Sequence, residues 1–415
     1  MNKRIILIAG IVAALVVVVL LTKKPLSEKY NKKGVENFDS LNYPEAEKYF
    51  KKALAWKRRS PEILINIIKA ELAQEKIDET EDYVIKLAEL SPENPETYGL
   101  KGQILVKYKQ YKEAVELLSM AIEKDSLLAY AYFYRGISRA NLGDLNGAAE
   151  DYLKAQQYDR ANIEALEERA VVLSKLQDFD ALIDNYNAMI AVDPSNTNAY
   201  LERGNFKMKI EDYESAVSDF SQVITLNQKL GEAYFNRGRS YAKLEMYDKA
   251  RMDFDKSAEL NFKKPGAFYN AGLASLKMED VPGANAYLFK VISADDTGEY
   301  SAKANYLLGV SEMMKGKNAN AIDFFNTAIE LNSEYADAYY NRGIAYGLID
   351  QHAEALSDLE KCLNLGRKTA DLYFAMGVQR IALNNFPEGC SDLKTAAEMG
   401  SEQAANMRKQ YCTQY

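Results

Sequence analysis

The chain has 415 residues, 47% hydrophobic and 27% charged, with nine prolines and 22 glycines. That is enough chain to bury a large core and too little turn punctuation for a β-rich protein, so helices are favoured. A single histidine, His352, excludes sites built on two or more imidazoles. The cysteines Cys362, Cys390 and Cys412 form no CxxC pair and all lie near the C-terminus, which argues against a disulfide framework or a thiolate metal site.

The net charge of −8 is unevenly placed. Lys3, Arg4, Lys23, Lys24, Lys29, Lys32 and Lys33 face one acid, Glu28, within residues 2–33; removing these leaves 45 bases against 59 acids in the remainder. An acidic body lacks the basic footprint that phosphate backbones require, so no nucleic acid partner is expected.

After a short basic tail, residues 1–4, the segment from Ile5 to Leu21 carries no polar side chain. As a helix it would rise roughly 26 Å, which flanking lysines extend towards a ~30 Å hydrocarbon core by snorkelling. The sequence therefore predicts a transmembrane helix over 5–22, a basic linker over 23–26, and lipid contact through residues 5–24. A cleaved signal is disfavoured because lysines stand where a small, neutral cleavage region would lie. The lysine count after the span would keep the following chain cytoplasmic. The short Lys3-Arg4 tail argues the opposite, and the reading adopted is a single-pass N-terminal anchor with an extracytoplasmic (periplasmic) body.

From residue 27 a 34-residue period governs the chain. Gly34, Gly102, Gly136, Gly204, Gly238 and Gly272 recur in register, with Ile68 and Ala170 at the positions between. Twelve residues later comes a small-residue column (Ala46, Ala114, Ala148, Ala216, Ala250, Ala284), and four further on a large apolar one (Phe50, Leu118, Tyr152, Phe220, Phe254, Leu288). The register slips by three after Asp296 and resumes at Gly309, Gly343 and Gly377. The period thus predicts eleven units over 27–403, starting at 27, 61, 95, 129, 163, 197, 231, 265, 302, 336 and 370, closed by a capping helix over 404–415. Units two and five, with Ile68 against Thr80 and Ala170 against Leu182, must pack differently.

The aromatic at position 4, Gly at 8, Ala at 20 and aromatic at 24, as in Ala233–Tyr241 followed by Ala250 and Phe254, resemble the tetratricopeptide repeat family. The resemblance implies an all-α solenoid, a right-handed superhelix of helix-turn-helix units. Small side chains at 8 and 20 suit this because they let two antiparallel helices approach, while stacking buries what one pair cannot.

Comparing units adds a pairing rule. Arg stands at position 7 of five units, and four of them hold Asp at 23: Arg135 with Asp151, Arg203 with Asp219, Arg237 with Asp253, and Arg342 with Asp358; Arg169 faces Asn185, and Asp392 alone lacks the Arg. The four Arg–Asp pairs are expected to bridge the two helices of each repeat as structural ion pairs.

In the family, positions 2, 5, 9, 12 and 13 line a concave wall. Carried over, they give Tyr269, Leu273, Leu276, Tyr306, Val310, Met313, Met314, Tyr340, Ile344, Leu348, Phe374, Val378 and Ile381 in the last four units. The middle units supply Lys175, Asn205, Lys209, Arg239 and Lys243, and the first three supply Glu28, Glu62 and Glu96. Position 6 adds Asn236, Asn270 and Asn341, which the resemblance assigns to a bound peptide's backbone or to a local role. The family's carboxylate clamp is present only in fragments.

His352 falls in a turn between helices. Cys362 is read as buried and Cys390 as helix-surface packing. No phosphate loop, dinucleotide fingerprint or nucleophile elbow occurs in a suitable context, so no catalytic, metal or cofactor residue is assigned. The expected function is a non-enzymatic, membrane-tethered scaffold or adaptor binding a protein or peptide ligand in its groove. The alternative is a permanent subunit of a membrane assembly or protein-secretion machine, with the groove as subunit interface.

Overall fold

The computed structural model describes residues 26–295 and 297–412. The fold is all-α, and it divides into two compact units between Asn196 and Thr197, at a repeat boundary. The first unit holds α1 (26–39), α2 (Tyr43–Trp56), α3 (Pro61–Leu72), α4 (Ile77–Leu90), α5 (Pro95–Lys107), α6 (Tyr111–Lys124), α7 (Ala129–Leu142), α8 (Leu145–Tyr158), α9 (Ile163–Leu176) and α10 (Phe179–Val192). The second holds α11 (Thr197–Lys209), α12 (Tyr213–Leu226), α13 (Gly231–Lys243), α14 (Tyr247–Glu259), α15 (Lys264–Lys277), α16 (Val281–Ala294), α17 (Glu299–Met314), α18 (Asn318–Leu331), α19 (Ala336–Gly347), α20 (His352–Asn364), α21 (Ala370–Ala382), α22 (Phe386–Glu398) and α23 (Glu402–Tyr411).

From α1 to α22, odd-numbered helices are the first helix of each repeat and even-numbered ones the second, and α23 closes the last repeat. Turn chemistry separates them. Position 15 of every repeat adopts positive φ, as at Leu41, Glu75, Gly143, Glu211, Gly316 and Asn384, so the first helix ends in a left-handed residue. Position 16 then caps the second: Asp144, Asp178, Asp212 and Asp280 each accept from the backbone N–H three residues on. The three-residue slip is absorbed at the start of α17, which has 16 residues and begins ahead of its repeat, after an Asp295 side chain that accepts from the N–H groups of Thr297 and Gly298.

Within a repeat, the large side chain at position 24 lies over the residue at position 8. A Cβ added to Gly34 would sit 2.4 Å from the Phe50 ring, to Gly136 2.8 Å from Tyr152, to Gly204 2.8 Å from Phe220, and to Gly309 2.6 Å from Phe325. Those rings are wholly buried, each contributing about 1.5–3 kcal/mol of burial. In the second repeat Ile68 replaces glycine, and position 24 shrinks to Val84 with Thr80 buried beside it. Bulk has been exchanged between the facing helices.

The Arg side chains at position 7 make a wider clamp than the pattern implies. Arg135 donates from Nε and Nη2 to the two Asp151 oxygens at 2.9 and 2.7 Å. Arg203 does so to Asp219 at 2.9 and 2.5 Å, Arg237 to Asp253 at 2.8 and 2.8 Å, and Arg342 to Asp358 at 2.7 and 2.7 Å. A third nitrogen reaches back to the preceding repeat: Arg135 to Ser119, Arg237 to Ser221 and Arg342 to Asn326, at 3.1, 3.0 and 2.7 Å. The carboxylates are buried, and burial pushes the Asp253 carboxyl up against its bond to Arg237. Arg139 and Lys207 also reach Asp151 and Asp219, but losing Arg237 or Arg342 leaves an uncompensated buried carboxylate, which costs about 3–5 kcal/mol. That is well above the range for an exposed pair.

Three expectations are corrected. No helix of the described residues is long and apolar enough to cross a membrane. The helices with assigned ends run from 10 to 16 residues, short of the ~20 that a bilayer requires. Among the described residues the fold is therefore all-α without a transmembrane helix, and the single-pass localisation built on one is not supported; the expected span 5–22 lies outside the described residues. Cys390 is not surface packing but forms a disulfide with Cys412, tying α22 to the end of α23, whose Ala404 and Met407 pack with Leu393 and Ala396. His352 is not an exposed turn residue: it opens α20, half-buried, with Nδ1 2.8 Å from Gln379 Oε1 of the next repeat. Cys362 is free and buried.

The ring-over-glycine contact is graded, and the grading is testable. A Cβ on Gly272 would find its nearest neighbours at 3.5 Å, ordinary contact distance. Gly309→Ala should destabilise the second unit by about 1–3 kcal/mol through overpacking, whereas Gly272→Ala should be neutral or stabilising by up to about 1 kcal/mol through helix propensity. Denaturant unfolding of the two variants checks this, and equal losses would contradict it.

Candidate functional site

The first helices of the second unit carry the apolar wall positions. Tyr269 and Leu273 stand on α15, Tyr306, Val310 and Met313 on α17, Tyr340 and Ile344 on α19, and Phe374 on α21. All eight are half-buried. Tyr269 packs on Tyr300 with ring centroids 5.5 Å apart. Tyr306 sits between Phe325 and Tyr335 at 6.0 and 4.9 Å and accepts a hydrogen bond from Asn341 Nδ2 at 2.9 Å. The Arg367 guanidinium lies 4.1 Å from the Tyr340 ring centroid. Burial raises the phenol pKa of all three tyrosines. Their rings therefore also belong to the packing within and between repeats. The freely accessible apolar side chains are at position 13: Met314 is 80% and Leu348 61% exposed.

Nearer the start of this unit the wall becomes a cavity of about 350 Å³. Phe254, almost wholly buried, forms part of its floor, with Met208, Tyr213, Tyr247 and Leu273 around it. Arg239, Lys243 and Lys277 also line it, and no carboxylate does. Lys209 lies outside this lining, its ammonium 4.6 Å from the Phe206 ring centroid.

The position-6 asparagines diverge. Asn236 donates to Asn205 and Asn341 to Tyr306. Asn270 lines the cavity, and among the described residues its side chain makes no hydrogen bond. Arg239, Lys243, Asn270 and Leu273 are thus brought together as wall positions. Tyr213, Tyr247 and Lys277 were missed from the sequence, although Lys277 repeats Lys209 and Lys243 at position 13, and both tyrosines occupy position 17.

The acidic wall of the first unit is largely consumed internally. Glu62 accepts from Asn31 at 2.8 Å, while Glu96 meets Lys69 at 2.7 Å and Tyr130 at 2.6 Å. A second acidic group, Glu47, Glu71 and Glu79, brings carboxylate oxygens within 4.8 Å of one another. Cations already occupy it: Lys51 lies 2.6 Å from Glu47 and 2.9 Å from the fully buried Glu71, and Lys76 lies 2.8 Å from Glu47. It is a compensated ion cluster between α2, α3 and α4.

Burial opposes ionisation of Glu47, but hydrogen bonds from Lys51, Lys76 and Gln74 outweigh it and hold its pKa at about 2. Burial raises that of Glu71. Because the folded-state value of Glu47 is depressed, its contribution is present above the ordinary carboxylate range and lost as pH falls towards 2. The raised Glu71 works in the opposite sense, losing its contribution as pH rises. Glu47→Gln should therefore destabilise the first unit by up to about 3 kcal/mol at pH 7, with the deficit shrinking below about pH 4.5 and vanishing towards pH 2. Hydrogen exchange of α2–α4 against pH measures it, and a pH-independent deficit would contradict the assignment.

Family models described as "TPR repeat" and "Tetratricopeptide repeat" match residues 302–349, and 197–230, 231–264 and 336–368, respectively. The chain is similar to Hsc70-interacting protein 1 of Drosophila melanogaster, 36% identical over 86 residues, which is 21% of this chain and 23% of that protein. The chain thus spans less than a quarter of the length of this curated relative. Among solved structures, the C-terminal part of a TPR repeat-containing protein from Cytophaga hutchinsonii is 18% identical with a TM-score of 0.49, covering 58% of this chain and 98% of its own. YrrB, described as a TPR protein with an unusual peptide-binding site, is 23% identical with a TM-score of 0.37, covering 44% of this chain and 92% of its own.

Proposed function

We propose that this chain, which carries tetratricopeptide repeats, is a non-enzymatic scaffold that binds a protein or peptide partner along the first-helix face of its second unit. The observation that carries this reading is the pair of large apolar side chains left exposed at position 13, Met314 and Leu348, beside a half-buried aromatic wall. Exposed apolar surface in a contiguous strip is the mark of a contact site, and methionine and tyrosine suit adaptable recognition of a peptide. The hairpins complete their own packing through the position 8 and 24 contacts and the half-buried rings, so the exposed Met314 and Leu348 are not needed to hold the repeat together. The relative's printed name speaks of Hsc70, but the match is confined to 86 residues, and the carboxylate clamp is incomplete in this sequence. No partner is carried over from it.

The half-buried tyrosines are poor test positions, because truncating them would also unpack their repeats. Met314 and Leu348 are better. A photoactivatable residue at 348 should crosslink a partner in cells, while one at Met252, 69% exposed on α14, should not. Adding Met314→Glu should remove the adduct and leave the melting curve unchanged. Equal adducts at 348 and 252, or an adduct indifferent to Met314→Glu, would contradict the proposal.

A further inference from the structure

Position 13 of the first helices changes character along the second unit. It is Lys209, Lys243 and Lys277, and then Met314 and Leu348, all exposed. Lys243 and Lys277 share the cavity wall with Arg239 at position 9, also exposed. Among the described residues, Arg239, Lys243 and Lys277 form no ion pair. Other cations of the same unit do: Arg203 and Lys207 sit on Asp219, Arg251 on Asp280, and Arg380 on Asp392 and Glu360. A lysine in the last turn of a helix is favoured by the helix dipole, which accounts for Lys243 and Lys277 taken alone. It does not account for Arg239, in the middle of α13, or for a cavity that no carboxylate lines. In a chain of net charge −8, this is a local inversion of sign, an unneutralised positive rim above an apolar floor. An anionic segment is its electrostatic complement.

Resting on the reading of this face as a partner site, we infer that the partner segment has two unlike blocks. An Asp/Glu-bearing block seats against Arg239, Lys243 and Lys277 and places one apolar side chain over Phe254. A second block of large apolar side chains lies on Met314 and Leu348. Asn270, whose amide is unengaged within the described residues, is positioned to bond the segment's backbone between the two. Charge steers the encounter and sets the register, while the apolar block and the cavity resist dissociation.

The test is a random peptide display library panned on the full chain. Enriched peptides should carry Asp or Glu clustered in one half and large apolar residues in the other. A synthetic copy of the strongest should bind at least about tenfold more weakly to R239Q/K243Q/K277Q, and binding to the unaltered chain should weaken as salt rises. The three side chains are exposed, so circular dichroism and melting of the glutamine variant should match the parent. Enriched peptides without an acidic bias, or acidic peptides bound equally by the glutamine variant, would overturn this inference. If such peptides still lost binding to Met314→Glu/Leu348→Glu, the scaffold reading would stand without it. No enrichment on any form of the chain would overturn both.

Discussion

Everything in this structure follows from how closely two helices approach inside one repeat. Where position 8 is glycine, the ring or branched chain at position 24 lies against bare backbone, with as little as 2.4 Å to a hypothetical Cβ. That approach buries the position 24 side chain completely. It also brings the Arg at position 7 within bidentate reach of the Asp at position 23 and fixes which side of the first helix turns away from its partner. The wall positions 5, 9 and 13 are a consequence of that geometry. The exposed position 13 side chains are free to carry function, whereas the position 5 rings also pack against neighbouring helices.

The arginine clamps extend the same geometry from one repeat to its neighbour. Each guanidinium has five donors in a rigid fork. Two are spent on the buried carboxylate, and in Arg135, Arg237 and Arg342 another reaches the preceding second helix. Where position 7 lacks arginine, as at Met376, Arg380 one turn later takes the carboxylate instead, 2.7 Å from Asp392. Stacking is thereby specified by direction as well as by apolar burial. The wall then divides by satisfaction: acids of the first unit are tied to Asn31, Lys69 and Tyr130, while the cations around the cavity of the second unit are left without carboxylate partners among the described residues.

Much of this was legible in the sequence, because a period of 34 with small residues at 8 and 20 leaves few ways to pack. The Arg–Asp pairing could be read by comparing units with one another. What the pattern hid depends on neighbours in space. The third arginine contact needs the rotation between adjacent repeats. The Cys390–Cys412 bond needs α23 folded back over α22, which no spacing rule implies. Tyr306 reads as groove from its position alone, yet it is held by Phe325, Tyr335 and Asn341. The cavity was half legible, since Arg239 and Lys243 are wall positions but Tyr213 and Tyr247 enter from the first residues of α12 and α14. The apolar run 5–22 reads as a membrane helix by composition, and no helix of the described residues fills that role.

The intimacy of the hairpin can be measured directly as a coupling energy. In a double-mutant cycle, Gly309→Ala and Phe325→Leu each remove one side of the contact, and the pair together restore room for the added methyl group. Unfolding free energies of the two single variants and the double should show the double less destabilised than the sum by about 1 kcal/mol or more. Strict additivity would mean that the ring and the glycine do not depend on each other, and the packing described here would then not be what sets the repeat.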